Sequence, residues 1–153
     1  MPEDSLEAIV EALESQLEIE QLCYYFAHAI DRHDEQKFLS IWTDDATLVS
    51  DSQAYRGLDS IPKYLDELWQ ALPVSHHYVA NNDIRVSGDV AEGICDHDIL
   101  AATAQGKTVI LAASAFDTYR RVGKTWRIER RRIETCHSLS LPGVELTTNP
   151  RPW

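Results

Sequence analysis

An α+β fold, with helices in the first half of the chain and a four-strand antiparallel meander in the second, is predicted by a change of period near Pro73. Before it, apolar residues recur at helical spacing, at Leu6, Ile9, Val10, Leu13 and Leu17 and again at Ile19, Leu22, Phe26 and Ile30. After it, long strand-like runs are separated by "SGD", "AQGK" and "RVGK", whose glycines suit hairpin turns. Helices followed by strands place the helices against one face of a curved sheet.

Each element has its own signal. The two apolar phases before residue 31 differ in register, which predicts two helices or one bent helix. "DRHDEQKFLSIW" predicts a short helix capped by Asp34, with Phe38, Ile41 and Trp42 inward. "ATLVS" reads as a strand and "AYRG" as a turn or edge piece. "LDSIPKYLDELWQAL" reads as an amphipathic helix capped by Ser60, with Pro62 tolerated in its first turn. The strands are expected at 74–87, 90–104, 107–121 and 125–138. The whole of 1–153 reads as a single domain, with the Pro-rich stretch 139–153 a tail or a flap over the mouth of the fold.

Composition narrows the function. A chain of 153 residues, 44% hydrophobic and 25% charged, builds a core of its own. Its net charge of −11, with no stripe of Lys or Arg, argues against nucleic acid as a partner. No apolar run approaches the roughly 20 residues of a membrane span. The acidic, amphipathic start is unlike a secretory leader. Cys23, Cys95 and Cys136 lack CxxC spacing and read as reduced, mostly buried thiols, without metal, in a cytoplasmic protein.

Three polar features stand where the pattern is apolar. Asp31 ends the apolar helix segment "CYYFAHAID"; Tyr24, seven residues earlier, lies about 20° from it around the axis. His76 and His77 begin a strand, so one of them faces inward and the other outward. In "TWRIERRRIETCH", Trp126 and Ile128 share a face, to which strict alternation adds Arg130 and Arg132, with Arg131 opposite. An arginine facing the interior requires an anionic partner. Each feature also has a plain structural reading: a solvated helix end, an exposed histidine, arginines paired with neighbouring acids.

The segments "YFAHAIDRHD", "FLSIWTDDATL", "YRGLDSI", "HHYVANNDIRVSGDVAEG" and "YRRVGKTWRIERR", in this order over about residues 5 to 135, resemble the SnoaL-like branch of the nuclear transport factor 2-like superfamily. The resemblance implies a cone-shaped, strongly curved antiparallel sheet wrapped around N-terminal helices, with a deep pocket at its open end. Lyases of this branch use a histidine–aspartate pair, which falls on His77 and Asp31, and the resemblance also implies an arginine of the last strand pointing into the pocket, which falls on Arg131. Strict alternation favours Arg130 or Arg132, and a β-bulge would reconcile the two counts.

In the implied mechanism His77 removes a proton from carbon, Asp31 holds its tautomer, and Arg131 stabilises developing negative charge, with no metal or organic cofactor. Tyr24 or Tyr25 would donate a proton. Where the lyases carry Lys or Tyr five residues before the aspartate, this chain has Phe26, which argues against halide elimination. Phe26, Trp42, Trp69 and Phe116 instead predict an apolar pocket for a small hydrophobic, aromatic, terpenoid or polyketide-like molecule. The expected function is thus a dehydratase-like lyase or an isomerase. The alternatives are a non-catalytic binding or association domain of the same fold, and a metal site built from His76 or His77 with Asp96, His97 and Asp98. The small residues of "ILAASAF" predict a homo-oligomer, dimer or trimer, packed through the sheet.

Overall fold

The computed structural model describes residues 5–149. Helix α1 (Leu6–Arg32) is one continuous helix. Ser5 caps it by accepting from the Ala8 backbone N–H at 3.3 Å, and His33, at φ 55°, ends it in the left-handed region. The change of apolar phase therefore marks a change of surroundings, not a break. Leu6, Leu13 and Leu17 are 76, 54 and 65% exposed, whereas Ile19, Leu22, Phe26 and Ile30 are buried. The second half of the helix packs against the sheet.

Helix α2 (Glu35–Leu39) is capped by Asp34 as expected, its Oδ1 accepting from Lys37 N at 2.9 Å. Phe38, Ile41 and Trp42 are buried. Helix α3 (Ile61–Ala71) begins after Ser60, but the serine side chain does not cap it. The Ser60 hydroxyl donates backwards, to the carbonyls of Arg56 at 2.7 Å and Gly57 at 3.2 Å. No helix among the described residues is long and apolar enough to cross a membrane.

The strands are β1 (Trp42–Ser50), β2 (Gln53–Arg56), β3 (Val74–Ser87), β4 (Val90–Ala102), β5 (Thr108–Val122) and β6 (Thr125–Leu141). They form one six-stranded sheet in the order β2-β1-β6-β5-β4-β3. β3 to β6 make the expected antiparallel meander. β1 joins β6 in parallel, so the sheet is mixed. The intervening helix and hairpins supply the long connection that parallel pairing needs.

β6 runs past residue 138, because Ile110, Val109 and Thr108 of β5 continue the ladder to Leu139, Ser140 and Leu141. The irregular segment thus starts at Pro142, and the Thr108 hydroxyl fastens it by donating to the Val144 carbonyl at 2.7 Å. The part of the tail from Pro150 to Trp153 lies outside the described residues.

Two bulges bend β6. The pairing passes from Tyr119↔Ile128 to Thr118↔Arg130, leaving Glu129 as the extra residue, and from Ala113↔Thr135 to Ala112↔His137, leaving Cys136. A bulge reverses the alternation that follows it and increases the local twist. Trp126 and Ile128 are buried before the first bulge; after it, Arg131 is buried and Arg130 is exposed. The meander curves over α1, and the helix packs on β3 and β6. Replacing Ile19 by Ala is expected to cost about 2–5 kcal/mol in urea denaturation, whereas Leu13→Ala, on the exposed half of α1, should stay within about 0.5 kcal/mol.

Candidate active site

The last turn of α1 brings Asp31 against the first residues of β3, where alternation turns Ser75 and His77 inward and His76 outward. Nδ1–H of His77 donates to Asp31 Oδ1 at 2.6 Å. The His77 backbone N–H donates to Oδ2 at 2.8 Å, and the Ser75 hydroxyl to Oδ1 at 2.9 Å. The side chains of His77 and Asp31 are only 6 and 3% exposed. Burial alone would push the Asp31 carboxyl up, but these hydrogen bonds and the charge of His77 outweigh it, leaving the group below the usual carboxylate range. His76 is exposed on the other face, edge-on to Tyr78 at 4.9 Å.

His77 opens onto a cavity of about 200 Å³, lined also by Phe26, Tyr64, His97, Ile99 and Leu111. Burial holds the Tyr64 phenol well above its ordinary value, so it stays protonated. His97 stands edge-on to His77, with ring centroids 6.2 Å apart, and edge-on to Phe26 at 5.9 Å. Burial, followed by the charges of Arg131 and His77, pushes His97 down to about 3. It is a neutral imidazole at physiological pH.

Arg131 is turned into the interior by the bulge at Glu129, but not into the pocket, where the resemblance expected it. It does not line the cavity. Fully buried, it sits opposite Asp117 on β5, with Nε donating to Oδ1 at 2.8 Å and Nη2 to Oδ2 at 2.6 Å. The Asp117 carboxylate sustains its charge against burial. Its guanidinium lies 4.3 Å from the Phe26 ring centroid. Strict alternation favoured Arg130 or Arg132 and missed the bulge, and neither count named the carboxylate partner of Arg131, which comes from another strand.

The predicted aromatic lining is corrected in the same way. Phe26 lines the cavity with His77; Tyr24, Tyr25, Trp42, Trp69 and Phe116 lie elsewhere. One helical step of about 100° carries Tyr25 away from Phe26, to where the Lys37 ammonium lies 3.4 Å from its ring centroid. Tyr24 hydrogen-bonds Glu20. Trp42 is core, packed on Phe26 and Phe38. Trp69 donates to the Ile30 carbonyl at 3.0 Å and stacks on His33. Phe116 faces the other side of the sheet, under the Arg132 guanidinium at 4.2 Å.

The alternative metal set does not converge. His77 and His97 point inward, whereas Asp96 turns outward and accepts from Asn81 and Ser114, and His76 and Asp98 are exposed. Sulfurs of Cys23 and Cys95 and a carboxylate oxygen of Asp117 do gather. The cation among them is Arg131, whose Nη2 lies 3.5 and 3.7 Å from the two sulfurs and 2.6 Å from Asp117. His97, which sequence reasoning weighed only for metal, belongs to the cavity. Its signal was its place among Ala91, Gly93, Cys95, Ile99 and Ala101, a strand face otherwise free of large polar groups.

A family model described as a SnoaL-like domain matches residues 11–132. Gamma-hexachlorocyclohexane dehydrochlorinase of Sphingobium indicum is 30% identical over 120 residues, covering 76% of this chain and 77% of that protein. An uncharacterized protein of Mycobacterium tuberculosis is 30% identical over 132 residues, covering 82% and 88%. The crystal structure of LinA superposes with a TM-score of 0.87 at 26% identity, covering 92% of this chain and 98% of the other. A Nostoc punctiforme protein of unknown function with a cystatin-like fold gives 0.70 at 19%, covering 78% and 90%, a likeness of fold alone.

Two measurements check these electrostatics. Removing the Asp117 carboxylate by Asp117→Ala leaves Arg131 as an unpaired buried charge and is expected to cost about 3–5 kcal/mol in chemical denaturation. The depressed Asp31 carboxyl contributes stability that is full above its unfolded value, near pH 4. That stability is lost as pH falls through the lower folded value. Below about pH 4, wild type should therefore lose stability that Asp31→Asn has already lost, and the difference between their melting curves should narrow.

Proposed function

The chain belongs to the SnoaL-like domain family, and on that premise we propose that it is a lyase or isomerase whose base is His77, acting on a small hydrophobic ring compound. The hydrogen bond from His77 Nδ1 to Asp31 Oδ1, 2.6 Å long at the wall of the cavity, carries this reading. With Nδ1–H committed to the carboxylate, Nε2 keeps the lone pair and acts as the base. Asp31 is itself held by Ser75 and by the His77 backbone, so the ring is oriented before a ligand arrives.

Proton abstraction from a carbon beside an activating group turns His77 into an imidazolium, which Asp31 stabilises at contact distance. His97 adds no opposing charge, because it remains neutral. Tyr64, protonated and in the same lining, supplies the phenol for a departing or developing oxyanion, in place of Tyr24 or Tyr25. Arg131 acts from behind Phe26 as a fixed positive charge and a positioning residue, without touching the ligand. The dehydrochlorinase relative acts on hexachlorocyclohexane by its name. Phe26, at the place where lyases of this branch carry Lys or Tyr, favours loss of water or movement of a double bond over halide elimination here.

The test is exchange of α-protons for deuterium in single-ring ketones, followed by NMR in heavy water, together with product analysis of β-hydroxy ketones. Wild type is expected to accelerate exchange, with His77→Ala and Asp31→Asn slower by roughly 100- to 10,000-fold. Ketones that bind wild type without exchange or turnover would make the protein a binding module.

A further inference from the structure

The mouth of the cavity carries a charge that the proposed chemistry does not use. Ser50 and Asp51, at the tip of the β1–β2 hairpin, line the cavity together with Thr135 of β6. The Ser50↔Gln53 pair closes the hairpin over Asp51 and Ser52, and Asp51 takes φ 50°, in the left-handed region. Aspartate tolerates that region better than most residues. The tip is tied to β6. The Asp51 backbone N–H donates to the Ile133 carbonyl at 2.9 Å. Its carboxylate accepts from the Thr135 backbone N–H at 3.1 Å and from the Thr135 hydroxyl at 3.4 Å.

These bonds fix the carboxylate without exhausting it. A carboxylate offers about four lone-pair sites; Thr135 takes two, and Asp51 is an exposed residue. Its charge is felt inside the cavity. Burial is the main cause that holds the Tyr64 phenol up, and the Asp51 charge adds to it. The other ionisable side chains of the lining are Tyr64, His77 and His97, with Asp31 bonded to His77. Tyr64 and His97 are neutral, and Arg131, behind Phe26, is offset by Asp117. Among the described residues no lysine or arginine lines the cavity. A ligand carboxylate there would meet like charge and lose water with no cation to replace it.

We infer that Asp51 sets the charge class of the ligand. The ring compound is uncharged or cationic, and it turns a hydroxyl or ammonium group to the mouth, where the Asp51 carboxylate accepts from it. Ring carboxylates and phosphate esters are turned away. This rests on reading the cavity as the substrate site. Ile99, Leu111 and Ile133 supply apolar wall for the ring. The volume is about 200 Å³, against about 150 Å³ for an apolar cavity that admits benzene, which leaves room for one short side group.

The test measures binding of benzylamine, benzyl alcohol and benzoate to the full chain by calorimetry near neutral pH and at physiological salt. The three are close in size and differ in charge. Each should shift the His77 ring resonances in NMR, which places it in the cavity. Wild type is expected to bind benzylamine more tightly than benzyl alcohol, and benzoate about tenfold or more weaker than benzylamine. Asp51→Asn keeps an acceptor for Thr135 and suits the same φ; Asp51→Gly suits that φ with no side chain. Both should bring benzylamine and benzoate within about threefold of each other, with melting curves establishing that they are folded. Glu92→Gln removes the same charge from an exposed position on the other face of the sheet and should leave the wild-type ratio unchanged. Benzoate binding as tightly as benzylamine in wild type, or a ratio that survives both Asp51 variants or falls equally in Glu92→Gln, overturns the inference. If none of the three binds, the cavity reading falls and the inference with it. A charge preference set by Asp51 in a protein that never exchanges a ketone proton overturns only the catalytic reading.

Discussion

A guanidinium sealed from water must be matched by negative charge, and the interior is arranged around that requirement. Arg131 is fully buried, and Asp117 faces it from the neighbouring strand with two hydrogen bonds. Desolvating both ions costs several kcal/mol each. The pairing therefore demands close geometry, and the bulge at Glu129 provides it by setting Arg131 directly across from Asp117. Tyr119 donates to the same carboxylate at 2.6 Å, so the acceptor side is also filled.

From that pair the constraints spread outward. The Phe26 ring covers the guanidinium on one side and lines the cavity on the other. Cys23 and Cys95 pack against Nη2, and Cys95 in turn meets His97. The positive charge of Arg131 is one reason His97 stays neutral. Two histidines thus share one cavity wall in different surroundings. His77 is hydrogen-bonded to a carboxylate, whereas His97 is backed by a cation and kept uncharged.

Much of this was legible in the residues. The change of period at Pro73 marked the turn from helices to meander, and the hairpin glycines placed strand ends within a few residues. Asp34 was recognisable as a cap because the requirement is local. Asp31 and His77 could be singled out by type and position, although periodicity left His76 and His77 equivalent. Errors fell where partners are distant in sequence. The exposed apolar stripe from Leu6 to Leu17 looks like a core face, because periodicity reports amphipathicity and not what the face meets. The aromatics were assigned to the pocket by type, yet Trp42 and Trp69 are held by core packing and a backbone carbonyl.

The sequence by itself determined the class of fold, the order of its elements and the chemical types available to the site, because propensity, turn chemistry and apolar period act over a few residues. Only the tertiary structure decided that β1 pairs in parallel with β6, that Asp117 is the partner of Arg131, and that His97 shares the cavity with His77. Each of these depends on sheet register between distant segments. A single extra residue, Glu129, reverses the faces of all that follow in its strand until the next bulge, and no local signal in the chain records where that residue falls.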